Sequence, residues 1–357
     1  MKQRLRALVG IAATVFFLWF ALRDVVWSDV WAHLREANWL LLLAAVVVST
    51  LGMHIRALRW KALLAPVAPD VPLQPRLAGT FVGFAVNNLL PARIGEFARS
   101  LVCARLGRIP VSAVFASLIV ERVLDGLVMV GFLFAAMSSP NFPVTHDVAG
   151  VDPRAAARFL AGFALLVGGV TVAMAFLPRH AVRLAGRVAR HLPLRVGRPL
   201  MGALAAFLGG LGVLRKPRLL AISVAWALFQ WTFLAMSFVL AFRAFGITEA
   251  GFAGAVFLQS LIAMAVSIPS GPGFFGVYEA AAVGGLALWG VDESRAASFA
   301  IGFHLGGWLS VTGIGLWYIW RLGLSWRELR RSDEEVEEAV ERDPALHPPS
   351  GAEPRDG

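Results

Sequence analysis

A single cysteine, Cys103, is all the thiol chemistry the sequence holds. One thiol excludes an internal disulfide and leaves no Cys-based metal site. The seven histidines are scattered with no His-x-x-x-His pair, so no metal is expected. Charge is scarce: Asp, Glu, Lys and Arg make up 16% of residues, against about 25% in soluble domains. Acids are scarcer still, with none from Arg154 to Thr248. Walker A, GxSxG, HExxH and CxxC patterns are missing, so nothing in the sequence points to ATP hydrolysis, serine hydrolysis or a metal enzyme. The run GPGFFG at 271–276 is not a nucleotide fingerprint, because it lies among apolar segments with no strand before it. No cofactor is expected.

What the chain has instead is apolar length. Hydrophobic residues make up 58% of it, and the runs Trp39–Thr50, Phe159–Leu177 and Leu219–Phe242 reach or approach the ~20 residues that cross a bilayer as a helix. The expected fold is an all-α polytopic membrane protein. The N-terminus, MKQRLRALVGIAATVFFLWFALRD, resembles a signal peptide, but Phe20-Ala21-Leu22-Arg23 is not a small-x-small cleavage site. It reads as an uncleaved first helix over about 6–22.

The net charge of +10 is unevenly spread. From Ser332 to Gly357 there are nine acids and two arginines, leaving 31 Lys and Arg against 14 Asp and Glu elsewhere. In a membrane protein that excess belongs at the cytoplasmic face and not on nucleic acid. Lys2, Arg4 and Arg6 put the N-terminus inside, and Arg321, Arg327, Arg330 and Arg331 do the same for the C-terminus. A second helix over about 39–55 would return to a basic inner loop holding Arg56, Arg59, Lys61 and Arg76. The acidic loop Ser138–Pro153 falls outside. Arg179–Arg218, with nine Lys and Arg, falls inside. Within it Arg179, Arg183, Arg187 and Arg190 form a helical stripe suited to the inner leaflet, although inner-side topology alone accounts for it. Residues 1–325 form the membrane domain, and 326–357 an acidic, disordered cytoplasmic tail.

Two apolar regions fit this charge pattern best by entering and leaving on one side. One is Leu77–Leu90, the other Phe252–Ile268 with Val277–Gly290. Each becomes a re-entrant hairpin, broken at Pro91–Gly95 and at Pro269–Gly276. About eight apolar segments then divide into about six spanning helices and two hairpins. The two breaks share a pattern, LPARIG against IPSGPG. Gly107 precedes Glu121 by the same fourteen residues that separate Gly290 from His304. One hairpin opens inward and the other outward, as in an inverted-topology repeat whose broken helices meet near the midplane.

The chemistry-bearing residues cluster there. Asn87 and Asn88 can satisfy the backbone freed by Pro91 and Gly95. Glu96 and Arg99 are three apart and expected to pair, and Arg93 or Arg99 could meet a lipid phosphate; an ordinary interfacial ion pair is the alternative. Glu121 and Asp125 share a helix face, with Arg122 able to neutralise Asp125. Two carboxylates against one guanidinium leave a net negative site unless a proton or Arg93 or Arg99 balances it. That site reads equally as a proton- or cation-responsive path and as a buried packing network. Around the second break, Gly271, Gly273 and Gly276 allow unusual backbone after Pro269, while Glu279 and His304 supply the ionisable groups. The alternative there is a tight crossing built on small residues.

The ordered segments NNLLPARIGEFARS, SLIVERVLDGL and SIPSGPGFFGVYEA resemble the membrane region of the lysylphosphatidylglycerol synthase family, across about residues 5–322. The resemblance implies flipping of a lipid with a charged or bulky headgroup. It carries over to Asn88, Pro91, Arg93, Gly95, Glu96 and Arg99, then Glu121, Arg122 and Asp125, then Pro269, Gly273, Gly276 and Glu279. Bifunctional members append a large lysyl-transferring domain, whereas about 35 residues follow Leu322 here, so no lysylphosphatidylglycerol synthesis is expected. The resulting reading is a transporter-like lipid translocase in a bacterial inner membrane. It would act on phospholipid or on polyprenyl- or hopanoid-type lipid. Its expected partners are lipids with anionic headgroups and a lipid-biosynthetic enzyme. Two alternatives stay open: a membrane-embedded transferase or its accessory, with Glu96 or Glu121 as base, and a scaffold acting through the acidic tail.

Overall fold

The computed structural model describes residues 12, 14–23, 25–66, 68–90, 93–140, 142–143, 173, 177–189, 201, 216–267 and 271–341. The described residues form helices and no strand. After a helical segment at 14–22 come α1 (Trp27–Glu36), α2 (Trp39–Leu64), α3 (Leu73–Leu89), α4 (Gly95–Gly107), α5 (Val111–Met137) and α6 (Pro178–Ala189). Next are α7 (Pro217–Ala244), α8 (Gly251–Ala265), a single 3₁₀ turn (Pro272–Phe274), α9 (Val277–Ala287), α10 (Glu293–Arg321), α11 (Trp326–Arg330) and α12 (Ser332–Glu341). Most of the apolar run Phe159–Leu177, most of the loop Ser138–Pro153, Arg190, and residues 342–357 lie outside the described residues.

Length sorts the helices into two kinds. At 1.5 Å per residue, the 26, 27, 28 and 29 residues of α2, α5, α7 and α10 reach about 39–44 Å, beyond the ~30 Å apolar core of a bilayer. Three of them, α2, α7 and α10, are also apolar enough to cross a membrane; α5 carries Glu121, Arg122 and Asp125 at its middle. The 17, 13, 15 and 11 residues of α3, α4, α8 and α9 make only about 17–26 Å. These four are the arms of the two broken segments.

The chain order is long, short, short, long, given twice: α2–α3–α4–α5, then α7–α8–α9–α10. α2 and α7 run antiparallel, with the Asn38 N–H donating to the Ala244 carbonyl at 2.8 Å. The first hairpin therefore starts and finishes at the end of the bundle where α2 finishes, and the second at the opposite end, where α7 finishes. α3 and α4 pack back to back: Gly79 faces Cys103, Gly83 faces Arg99, and Asn87 faces Gly95. A Cβ on Gly83 would sit 2.7 Å from the Gly95 carbonyl oxygen, so only glycine permits this approach. The first hairpin lies against α10, α2 and α5; the second against α5, α7 and α10; and α3 reaches the 3₁₀ turn of the second break.

Two sequence expectations change. The second helix does not end near residue 55 but continues to Leu64, because no proline interrupts it before Pro66. Arg56 and Arg59, expected in a basic loop, are therefore helical and buried at 3% and 0% exposure. Arg76 is also buried, with Nη1 donating to the Ala57 carbonyl at 2.6 Å near the C-terminal end of α2. The first part of the tail expected to be disordered forms two helices, residues 326–330 and 332–341, joined at Arg331. There Ser325 caps α11, Leu329 and Val336 are buried, and Arg105 on α4 pairs with Glu328 at 3.0 Å and Glu335 at 2.9 Å.

Candidate functional site

At the first break, Asn87 carries the structural load. Its Oδ1 accepts the Gly95 N–H at 2.8 Å, satisfying an amide at the start of α4 that has no intrahelical partner. Asn88 looks the other way and donates from Nδ2 to Thr312 Oγ1 on α10 at 2.9 Å. Arg93 sits between the arms in the left-handed region, at φ +56°. Its Nη1 donates to the Ser267 carbonyl at 3.4 Å, and its guanidinium lies 5.8 Å from the Phe274 ring. Phe274 has positive φ as well, +62°. The tips of the two hairpins thus meet through two residues in conformations that side chains seldom adopt. Pro91 and Pro269 lie outside the described residues.

Beneath the first break is a buried ion network. Glu121, fully buried, takes a two-pronged grip from Arg99, with Nη1 to Oε1 at 2.9 Å and Nη2 to Oε2 at 3.0 Å, and a third bond from Arg56 at 2.5 Å. Asp125 pairs with Arg59 at 2.6 Å and accepts from Arg56 at 3.1 Å and from Trp231 Nε1 at 3.0 Å. Arg59 also donates to Gln230 on α7, and Arg99 lies 4.1 Å over the Trp60 ring. Arg122 bonds Glu96 at 3.4 Å and Glu121 at 3.3 Å. The helices α2, α4, α5 and α7 are thus tied by charge-assisted bonds, roughly twice as strong as neutral ones.

The expected pairings are rearranged. Arg99 does not pair with Glu96 but with Glu121, and Glu96 goes to Arg122. Arg122 does not neutralise Asp125, which two arginines of α2 hold instead. The charge is balanced by arginine, as one of the expected alternatives had it, with Arg99 on Glu121 and with Arg56 and Arg59 added from α2. Arg56, Arg59, Arg93, Arg99 and Arg122 face Glu96, Glu121 and Asp125, so this cluster of described residues is cationic.

At the second break, Gly276 has φ +87° and its N–H donates to Glu279 Oε2 at 2.6 Å, while the Gly271 N–H donates to Thr14 Oγ1 at 3.0 Å. Gly273 also has positive φ, +69°, beneath the Trp308 indole. The other oxygen of Glu279 accepts from His304 Nδ1 at 2.6 Å, and the His304 ring stacks on Tyr278 at 4.0 Å. Glu279 thus both caps α9 and orients His304.

Between the breaks lies a cavity of about 560 Å³. Asn87, Asn88, Arg93, Glu96, Arg122, Asp125 and His304 line it. Arg99, Glu121, Glu279, Gly95, Gly271, Gly273 and Gly276 are not part of that lining, although Glu121, Glu279 and Gly95 bond the lining residues Arg122, His304 and Asn87. Residues the sequence reading missed also reach it: Arg56, Gln230, Trp231, Gln259 and Trp308. Apolar walls come from Met53, Met129, Leu234, Met264, Phe303 and Val311. The signal for Arg56 was present, since 39–64 holds no proline; inner-loop charge statistics overrode it. The missed glutamines and tryptophans had no mark of their own in apolar helices. Among the described residues no His, Cys, Asp or Glu group could hold a metal.

This architecture defines a helical integral membrane protein with a charged cavity between two interrupted helices. The chain belongs to the family described as the lysylphosphatidylglycerol synthase TM region, whose profile matches residues 7–315. No curated protein and no solved structure matches it.

Proposed function

We propose that the protein translocates a lipid between leaflets, carrying the headgroup through the cavity while the tails stay in the bilayer. Its substrate class is phospholipid or a polyprenyl- or hopanoid-type lipid. The observation that carries this reading is the meeting of two broken hairpins, entering from opposite ends, at one polar cavity. Interrupted helices at membrane depth are tolerated where they line such a space. Family membership supports a lipid-related membrane role.

In this reading α3–α4 and α8–α9 are re-entrant hairpins, and the two four-helix units form an inverted repeat. Both termini are cytoplasmic, and residues 1–325 form the transporting domain in a bacterial cytoplasmic membrane. Aromatic belts support a bundle that runs across the bilayer: exposed Trp27, Trp31 and Trp39 mark one end, and Trp317, Trp320 and Trp326 the other. Arg93, Arg122, Asn88, Glu96 and His304 contact the headgroup. Glu121 and Arg99 hold the wall that presents them, and Asp125 lines the cavity with its carboxylate held by Arg56 and Arg59.

Purified protein in liposomes tests this. Fluorescent lipid should become accessible to an outer-side quencher faster than in protein-free vesicles, and Arg122→Ala should slow that exchange at least tenfold in folded protein. Equal exchange with the parent, the variant and empty vesicles would refute translocation.

A further inference from the structure

We infer that the cavity selects a phosphate headgroup carrying net negative charge and no free amine, which is the opposite preference to an aminoacylated, cationic lipid. This rests on the translocase reading for the lipid, but the charge argument stands on the cavity itself.

The carboxylates are already used. Asp125 is held by Arg56, Arg59 and Trp231, and Glu121 by Arg99, Arg56 and Arg122. Only Glu96 keeps partial exposure, 23%, and its partner is Arg122. An ammonium group arriving here would have to displace a guanidinium from each carboxylate it approached. The arginines, by contrast, are in excess. Five face three carboxylates. Adding Glu279 with a neutral His304 leaves one positive charge uncompensated, and a pair that shares a proton leaves two. No acid elsewhere between Arg154 and Thr248 can make up the difference, because the sequence has none there.

The free donors are placed to serve an anion. Arg93 and Arg122 both line the cavity. Arg93 gives one long bond to a carbonyl, 3.4 Å, and Arg122 gives one bond of 3.3 Å to Glu121 and an ion pair of 3.4 Å to Glu96, all longer than the 2.7–2.9 Å of a well-made charge-assisted bond. Their Nε–H groups are buried with no acceptor among the described residues, as are those of Arg56, Arg59 and Arg99. Asn88 lines the cavity beside them, and Trp308 Nε1 has only a long bond, 3.4 Å, to the Asn88 carbonyl. A phosphate takes several such donors at once, and a guanidinium fork fits its oxygens. Below this polar end the Met- and Phe-lined wall suits the first carbons of an apolar chain.

Quenching of intrinsic tryptophan fluorescence reads occupancy, since Trp231 and Trp308 line the cavity. The purified full chain in neutral detergent is titrated with a diacylglycerol monophosphate, phosphatidylglycerol, phosphatidylcholine, lysylphosphatidylglycerol and inorganic phosphate. The monophosphate lipid should bind at least tenfold tighter than phosphatidylcholine or the lysyl lipid, with phosphatidylglycerol between and inorganic phosphate weaker than either anionic lipid. Arg93→Ala and Arg122→Ala should each lose about tenfold for anionic lipid. Glu96→Gln should bind anionic lipid tighter, a gain that misfolding cannot mimic. Tighter binding of the lysyl lipid, or no change in Glu96→Gln, overturns the inference. Inorganic phosphate binding as tightly as the lipids overturns the lipid assignment in favour of a free anion. Selective anion binding with no translocation in liposomes would sink the translocase reading and leave the headgroup preference intact.

Discussion

Replacing Glu121 with Gln keeps the shape of the side chain and removes one negative charge from a site that three arginines share. Each of these pairs is worth about 4 kcal/mol at 4 Å for an effective dielectric near 20. Part of that is offset, because the carboxylate no longer has to be desolvated. What remains is two buried guanidinium groups, on α2 and α4, facing an amide that can accept from only one side. Breaking a buried pair in this way costs about 3–5 kcal/mol, a large share of the ~5–15 kcal/mol that holds an ordinary protein folded. Denaturant unfolding in detergent, followed by tryptophan fluorescence, should show that loss. Arg99→Gln should be destabilising too. The double variant Glu121→Gln/Arg99→Gln should then be at least about 1 kcal/mol more stable than the two losses added together. Arg122→Ala should cost less than about 1 kcal/mol, since its side chain is 38% exposed and its bonds are long. A Glu121→Gln loss under about 1 kcal/mol, or strict additivity with Arg99→Gln, would refute the view that this network ties α2, α4 and α5 together.

Asn87→Ala should cost about 1–3 kcal/mol, because the Gly95 amide is left buried without an acceptor, and Asn87→Asp should recover part of it by restoring one; equilibrium unfolding checks both. Gly276→Ala should lose at least about 1–2 kcal/mol from the left-handed backbone alone, and more because its Cβ would fall 2.6 Å from the Thr14 carbonyl oxygen; a thermal melt within a degree of the parent would contradict this. The α11–α12 segment should be acid-labile in a defined window. The Ser325 amide and hydroxyl, with Arg105, pull Glu328 down from 4.5 to about 2. A depressed carboxylate stabilises above its ordinary value and loses that contribution as pH falls through its folded one. Protease cleavage within 326–341 should therefore rise between about pH 4.5 and 2, and Arg105→Ala should expose the segment already at pH 7.

The sequence showed the breaks better than the partners. Both hairpin arms could be read because Pro91, Gly95 and the GPGFFG run at 271–276 interrupt apolar stretches too short to cross a bilayer. A break frees amides that a nearby carboxamide can satisfy, which Asn87 does for Gly95, whereas Asn88, expected to do the same, bonds Thr312 instead. Local spacing misled at Glu96, Arg99, Arg122 and Asp125. Residues three or four apart on a helix are neighbours, but here stronger partners arrive from other helices, and α2 supplies two of them. Those two, Arg56 and Arg59, were hidden by charge statistics, which treat arginine after an apolar run as the start of an inner loop. The tail's acids also read as solvated. Their partner, Arg105, is more than 220 residues away in the chain, and no local pattern announces a contact at that separation.

The division between wall and lining makes a last prediction. The cavity holds Arg93 and Arg122 near one another with only long contacts to their partners, and repulsion between the like charges destabilises the folded state. An anionic lipid that supplies oxygens to those guanidinium groups removes that penalty, and it binds the folded form alone. At a hundredfold excess over its dissociation constant such a ligand adds about 2.7 kcal/mol. The melting midpoint in detergent should therefore climb with the logarithm of added phosphatidic acid and stay level with phosphatidylcholine. Arg122→Ala should flatten the rise, because the cavity loses the donor. Glu121→Gln should not flatten it: its melt starts lower, yet the midpoint still climbs with lipid, since the side chain lost belongs to the wall. Two parallel curves offset in temperature, against one that is flat, separate a residue that supports the site from a residue that makes it. If Glu121→Gln and Arg122→Ala instead lose the rise together, the carboxylate acts on the ligand directly and the division fails.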